Sequence, residues 1–552
     1  MTVLTGIGIG RGIAFGPVLR MPDPLPEPAT TSSTIGPDAE KQRVTNALAA
    51  TGDDIRARGE RAGGKAQEVL EAQALMVDDP TLRSDVDVRI DNGATAERSI
   101  FDAFAGFKEM LTGLGGYMAE RAADLDDVAQ RIIARLSGVA APGVPESETP
   151  FILVARDLAP ADTALLDLDK VLALVTSDGG PTSHTAILAR EKSITAVVGV
   201  VDAVELSDGD ELIVDAEAGE VTVAPSAEEL ERAEKAIASA ATRASVPIAP
   251  GALSDGTSIP LLANLGSVDG IDKALEAGAE GVGLFRTEFL FLDAVTAPSV
   301  SAQYGQYAKL LRGFAGKKVV VRVLDAGADK PLPFLNDADE ENPALGLRGL
   351  RALRAQEQIL RDQLTALARA DAETDADLWV MAPMVSTVEE TRYFVDLARE
   401  LGISTPGVMI EVPSSALLAD RVLAEASFAS IGTNDLTQYT LAADRLLGSV
   451  SSFQDPWHPA VLRLIAEVGA AGAAAGKPVG ICGEAAADPL LAVVLVGLGA
   501  TTLSMSPSAI ADVRAELLQH TREDAKRLAA VALSANGGRE ARDAVRAALA
   551  QS

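Results

Sequence analysis

The sequence predicts an α/β multidomain chain: a β/α domain interrupted by an inserted α-helical bundle, then a helical linker, then a (β/α)8 TIM-type barrel. Three observations carry this reading. Strand-like runs flank a purely helical stretch within the first 225 residues, a charged helical segment bounded by prolines follows, and eight apolar runs then alternate with helical text to the end. At 552 residues the chain exceeds one core, and 47% hydrophobic content supplies several.

The elements follow in order. Residues Gly6 to Val18 alternate apolar residues with glycine as a strand does, and short strands return at Phe151–Ala155, Val171–Thr176, Ala196–Val200 and Glu211–Val214. From about Gly36 to Leu136 the period is helical, as in AQEVLEAQALMVDD and RSIFDAFAGFKEMLTGL. Residues 1–25 with 140–225 therefore read as one domain and 26–139 as a helical domain inserted into it. Glu60, Glu68, Glu71, Asp78 and Asp79 could make this insertion a docking face for a basic protein or simply a solvated one. Ser226 with Glu229 matches a capping box opening a helix to about Ala241, VPIAPG breaks it, and residues 226–250 read as a semi-rigid linker. The runs IPLLAN (259–264), GVGLFR (281–286), VVVRVLD (319–325), LWVMAPM (378–384), GVMIE (407–411), FASIG (428–432), VGIC (479–482) and TTLSM (502–505) place the barrel in 251–552.

Composition narrows the function. With 48 Lys plus Arg against 79 Asp plus Glu the formal charge is −31, which repels nucleic acid and anionic membranes and favours a basic partner. The single cysteine, Cys482, excludes an internal disulfide and suits a reducing cytoplasm. The first residues have no signal-peptide pattern, and the most apolar stretch, Leu490–Leu498, is far shorter than the ~18 residues of a membrane span. The expectation is a soluble cytoplasmic protein with no nucleic-acid binding and no membrane insertion.

GGPTSHTAILAR, Gly179–Arg190, is the most informative segment. The apolar run VLALVT, a glycine-proline corner and the helical text after His184 make a strand, a turn and a helix N-terminus, where N–H groups and the positive dipole end favour an anion. An imidazole there is a nucleophile that can take a phosphoryl group. A lone histidine is more often a cap or a core residue, but only three occur in the chain and this one sits in the corner.

A second constellation falls at the C-terminal ends of the barrel runs, where barrel sites lie. Arg286 and Arg322 end apolar strands, where a buried charge needs an anion or a carboxylate, and Arg445 adds a third guanidinium. Three together suit a phosphate, while structural Arg–carboxylate pairs would account for any one of them; Arg348 and Arg351 fit either use. Glu411 and Asp435 end neighbouring strands and can share one hard cation, Mg²⁺, completed by substrate oxygens. Cys482 in VGICGE is placed to protonate an enolate, or to be a small buried hydrophobe.

RGIAFG, RAADLDDVAQRI, GGPTSHTAILAR, GVGLFRTEFLF, NPALGLRGLR, SIGTNDLTQYTLAADR and ICGEAA, in this order and over nearly the whole length, resemble the Enzyme I family of the bacterial phosphoenolpyruvate (PEP)-dependent sugar phosphotransferase system. The phosphohistidine motif is shared with pyruvate phosphate dikinase and PEP synthase, but those carry a large ATP-grasp domain for which this chain has no room. The resemblance implies a swivelling phosphohistidine domain with His184 as the tele-phosphohistidine and Thr163 and Arg190 beside it. It implies PEP binding by Arg286, Arg322, Asn434, Asp435 and Arg445, Mg²⁺ on Glu411 and Asp435, and Cys482 as proton donor. It also implies transfer to the carrier protein HPr docked on the helical insertion, release of pyruvate, and a homodimer formed through the barrel. Gly10-Arg11-Gly12 departs from the family's small residue, proline and glycine, at no proposed catalytic position. The competing expectations are a non-catalytic PEP-sensing or carrier-binding paralogue, which would be expected to have lost His184, Cys482 or a metal ligand, and a stand-alone barrel lyase, which leaves the first half unused.

Overall fold

The computed structural model describes residues 2–550 apart from 11, 24, 63, 78, 115–121, 140–142, 146, 159–165, 181, 182, 193, 245–247, 292, 293, 295, 327–331, 333, 336–339, 446, 448, 449, 451 and 452. The chain divides into two compact units, Met1–Ser239 and Ala240–Ser552.

The first unit holds one eight-stranded sheet. Its strands are β1 (Thr2–Thr5), β2 (Ile7–Ile9), β3 (Ile13–Arg20), β4 (Phe151–Ala155), β5 (Val171–Thr176), β6 (Ala196–Val198), β7 (Glu211–Asp215) and β8 (Glu220–Val223), in the order β1-β8-β7-β3-β4-β5-β6-β2. The pairs β3–β4, β4–β5 and β5–β6 are parallel and the flanking pairs antiparallel. The single strand expected over Gly6–Val18 is instead two, β2 and β3, because Gly10 and Gly12 have φ of 75° and 114°, left-handed values that end a ladder. Between β3 and β4 the chain forms the helices Pro37–Ala62, Gly64–Val77, Pro80–Asp91, Ala96–Leu114 and Ala122–Ser137, whose apolar faces bury Val44, Ile55, Leu70, Ile100, Val128 and Ile132 in a core of their own. Asp79, read as part of an acidic face, is committed to the helix that follows: its Oδ1 accepts from the N–H groups of Thr81 (2.7 Å) and Leu82 (3.0 Å). Asp78 lies outside the described residues, as does the side chain of Glu68.

The helix Ala227–Ala244 starts with the expected capping box: Ser226 Oγ accepts from Glu229 N–H (3.4 Å) and Glu229 Oε2 from Ser226 N–H (2.8 Å).

The second unit is a closed parallel barrel. Its strands are β9 (Leu261–Leu265), β10 (Gly281–Arg286), β11 (Lys318–Arg322), β12 (Asp377–Ala382), β13 (Pro406–Ile410), β14 (Ala429–Ile431), β15 (Val479–Ile481) and β16 (Thr502–Met505), each pairing with the next in sequence and β16 closing on β9. All eight coincide with the expected runs to within a few residues. The third run is the instructive difference: β11 stops at Arg322, the Val323 N–H still bonds the Met381 carbonyl of β12 (3.0 Å), and past it the chain turns so that the Asp325 carboxylate comes back onto Arg322. Among the described residues no helix is long and apolar enough to cross a membrane.

Candidate active site at the barrel mouth

The C-terminal ends of the strands surround an open cleft lined by Arg286, Arg322, Glu411, Asn434, Asp435, Arg445 and Cys482, together with Asn264, Glu288, Asp325, Arg348 and Glu484. All seven barrel residues singled out from the sequence therefore meet in one place. Local structure explains how. β13 ends at Ile410 and Pro413 opens the helix Pro413–Leu417, so Glu411 stands in the short turn between them. The helix Thr433–Leu441 begins two residues after β14, which puts Asn434 and Asp435 in its first turn at the mouth. That helix ends on Ala442 in the left-handed region (φ 51°), and the reversal returns Arg445 to Asp435, with Nη1–Oδ2 at 3.5 Å.

The charged side chains form one continuous network. Arg322 ion-pairs with Glu288 and with Asp325 (3.0 Å) and lies 3.9 Å from Glu411. Arg348 bridges Asp325 (3.2 Å) and Asp435 (2.8 Å). Burial alone would raise the Asp325 carboxyl, but Arg322 and Arg348 outweigh it and hold its pKa below the ordinary aspartate value. Glu411 behaves oppositely: burial, then the like charges of Asp435 and Asp325, push its pKa up to about 8. Its Oε2 accepts a hydrogen bond from the Met384 N–H (2.9 Å), and Met384 sits in the left-handed region at φ 57°, a conformation costly for a non-glycine residue. Glu288 Oε2 and Arg322 Nε are buried without a hydrogen-bond partner among the described residues, so polar capacity at this cleft is left for a ligand or water. Arg286 stands at the end of β10, lining the cleft with its side chain exposed.

This donor set fits a divalent cation. A buried carboxylate whose ionisation is opposed by two neighbouring carboxylates is relieved by a cation, and both Glu411 and Asp435 offer hard oxygen. Among the described residues no group of three or more His, Cys, Asp or Glu is placed to hold a metal, so substrate and water oxygens would complete the shell.

In the first unit, β5 leads through the corner at Gly179 into the helix His184–Lys192. Ser183 Oγ accepts from the Ala186 N–H (3.2 Å), capping the helix and making His184 its first residue. Buried Thr185 ties the turn to the segment after β4: its hydroxyl donates to Asp157 Oδ1 (2.7 Å) and accepts from the Leu158 N–H (3.1 Å). Thr163 lies outside the described residues, as do the side chains of His184 and Arg190.

Comparison with known proteins accounts for the chain end to end. The family models "PEP-utilising enzyme, N-terminal", "PEP-utilising enzyme, mobile domain" and "PEP-utilising enzyme, PEP-binding domain" match residues 5–121, 147–219 and 240–522. The chain is 51% identical over 552 residues to the phosphoenolpyruvate-protein phosphotransferase of Streptomyces coelicolor, covering 99% of each. It belongs to the phosphoenolpyruvate-protein phosphotransferase family. Relatives of the same name from Haloferax volcanii (40% identical over 558 residues) and Lactococcus lactis (38% over 562) are also matched over 97% of both chains.

In this member of the phosphoenolpyruvate-protein phosphotransferase family the cleft contains more than its motifs announced. Glu288, Asp325 and Asn264 went unread: Glu288 two residues past Arg286 and Asp325 three past Arg322 were the available signals. Arg348 and Arg351, equivalent in sequence, separate here. Arg348 is inside the network, whereas Arg351 points to Ser386 (3.0 Å) and Glu390 (3.5 Å) with its side chain 43% exposed. Cys482 is 3% exposed; its S–H faces the Ile431 carbonyl at 3.5 Å, and its own carbonyl accepts from Asn264 Nδ2 (3.0 Å). Burial pushes the thiol pKa up to about 12, so at neutral pH it carries its proton.

Proposed function

We propose that this chain transfers the phosphoryl group of PEP to its own His184 and then to a histidine of the carrier HPr, releasing pyruvate, as the first step of sugar uptake by the phosphotransferase system. The observation that carries this reading is the convergence, in one cleft of a family member, of guanidinium groups, a two-carboxylate cation seat and a protonated thiol. A loose, charge-spread phosphoryl transition state needs cationic positioning more than covalent assistance.

Arg286, Arg322 and Arg445 hold the phosphate and carboxylate of PEP, and Asn434 orients it from the helix N-terminus. The P–O bond to the enol oxygen breaks as the P–N bond to His184 forms. The enolate then takes a proton at C3 from the Cys482 thiol, giving pyruvate and a thiolate. Mg²⁺ on Glu411 and Asp435 would neutralise charge on the substrate oxygens. Residues 1–25 with 140–225 act as the phosphohistidine domain, with Thr163 and Arg190 supporting His184, and 26–139 dock HPr. Residues 226–250 serve as linker, and 251–552 bind PEP and form a homodimer. The setting is the cytoplasm.

The test is incubation of the purified chain with ³²P-labelled PEP and Mg²⁺. The expected result is acid-labile, base-stable label that chases to added HPr. No label, with PEP still bound, overturns the reading in favour of a PEP-sensing paralogue. Gly432 offers a check on the cation seat, because a Cβ there would stand 2.6 Å from Glu411 Oε1, whose carboxylate is already held by Met384. Gly432→Ala is expected to raise the Mg²⁺ concentration for half-maximal labelling roughly 10- to 100-fold, the usual range when a ligand's support is disturbed.

A further inference from the structure

Asn264, next to last in β9, lines the cleft, yet its amide is turned to the barrel's own backbone. Nδ2 donates to the carbonyl of Cys482 (3.0 Å) and to that of Ser504 (3.3 Å), and Oδ1 accepts from the Ser504 hydroxyl. Carbonyls only accept, so the nitrogen must face them, and both of its N–H donors are then taken. This amide has no donor left for a substrate, which separates Asn264 from the charged residues around it.

The bond to Cys482 reaches over a strand. β15 stops at Ile481, and its last pair with β16 is Ile481–Leu503, so the Cys482 carbonyl lies past the ladder and needs another partner. Asn264 supplies it from β9, with β16 between. On the other flank the Cys482 N–H donates to the Ile431 carbonyl at the end of β14 (3.0 Å). Just after Cys482 the chain runs hard against the next helix: a Cβ at Gly483 would stand 1.9 Å from Thr433 Oγ1. The Cys482 main chain is therefore pinned from β14 on one side and β9 on the other. The thiol itself is held more weakly. It packs with Leu284, Met381 and Met409, and its S–H, a weak donor, meets the Ile431 carbonyl at 3.5 Å. The direction of Sγ is thus inherited largely from the backbone.

We propose that Asn264 is a positioning residue for the proton transfer: by holding the Cys482 carbonyl it fixes the face from which the thiol reaches C3 of the enolate. As the S–H bond breaks, the enolate electron pair forms the new C–H bond at C3 and Sγ keeps the S–H pair as thiolate. A planar enolate has two faces, and a donor held on one side gives a methyl group of one handedness. A thiol displaced by about an ångström protonates C3 slowly, and water then competes at both faces.

This rests on Cys482 being the proton donor, and the experiment separates the two failures. Full-length wild type, Asn264→Asp and Asn264→Ala receive PEP stereospecifically tritiated at C3, with Mg²⁺ and excess HPr in D₂O. The handedness of the pyruvate methyl, trapped as lactate, is read alongside kcat and KM. Asn264→Asp keeps the shape and the acceptor for Ser504 but loses the donor to Cys482. Wild type is expected to give one handedness. Both variants are expected to give a largely racemic methyl, with kcat lowered roughly 10- to 100-fold and KM for PEP within about threefold of wild type. Wild-type handedness in either variant overturns the inference. So does a KM that rises in step with the fall in kcat, which would make Asn264 a support of the whole cleft. A racemic methyl from wild type overturns Cys482 as the donor instead, and wild type that forms no pyruvate overturns the function.

Discussion

His184→Ala is expected to take up no label from ³²P-PEP while still binding PEP. The alanine removes the only proposed nucleophile and leaves the fold intact, since it replaces the first residue of the helix His184–Lys192 with the best helix former, and the cap on that helix comes from Ser183. No other histidine can substitute. His458 Nδ1 accepts from the Ala460 N–H (3.2 Å) at the start of the helix Pro459–Ala475, and His520, 7% exposed, is paired with Glu516 at 3.0 Å. In the proposed reading PEP binds in the barrel cleft, so calorimetric titration of the variant with PEP should match wild type. Label retained in the variant would move the nucleophile elsewhere; loss of both label and binding would show a folding defect.

The barrel was legible because a buried parallel strand is written as an apolar run and eight of them recur with helices between. The site was legible wherever a charged residue ended such a run, as at Arg286, Arg322 and Glu411. What the sequence hid was pairing across distance. Asp325 looked like the last residue of a strand, and its turn onto Arg322 and Arg348, beside the pairs these make with Glu288 and Asp435, explains why two cations tolerate burial there. Nothing local distinguished Arg348 from Arg351, three residues apart in LRGLR; only the folded helix Leu350–Ala355 and the residues before it send one into the cleft and the other to the surface.

Arg348→Met should destabilise the barrel unit and abolish PEP turnover together. The guanidinium, 5% exposed, bonds Asp325 and Asp435, so its removal leaves two buried carboxylates with reduced compensation, a change that costs about 3–5 kcal/mol. A fall in thermal midpoint on the order of 10 °C corresponds to that loss. The sign with pH follows from Asp325. Its folded pKa is held below the ordinary value, so the pairing stabilises wild type above the unfolded aspartate pKa of about 3.9 and is lost as pH falls through the folded value. Removing the partner therefore costs most near pH 7, and the gap between the two proteins should narrow as the pH drops below about 4. Arg351→Met, at a partly exposed pair with Glu390, should change stability by less than about 1 kcal/mol at any of these pH values. Melts of all three proteins at neutral and acid pH decide the matter: a pH-independent loss in Arg348→Met would mean that lost packing, not the orphaned carboxylates, is what the arginine prevents.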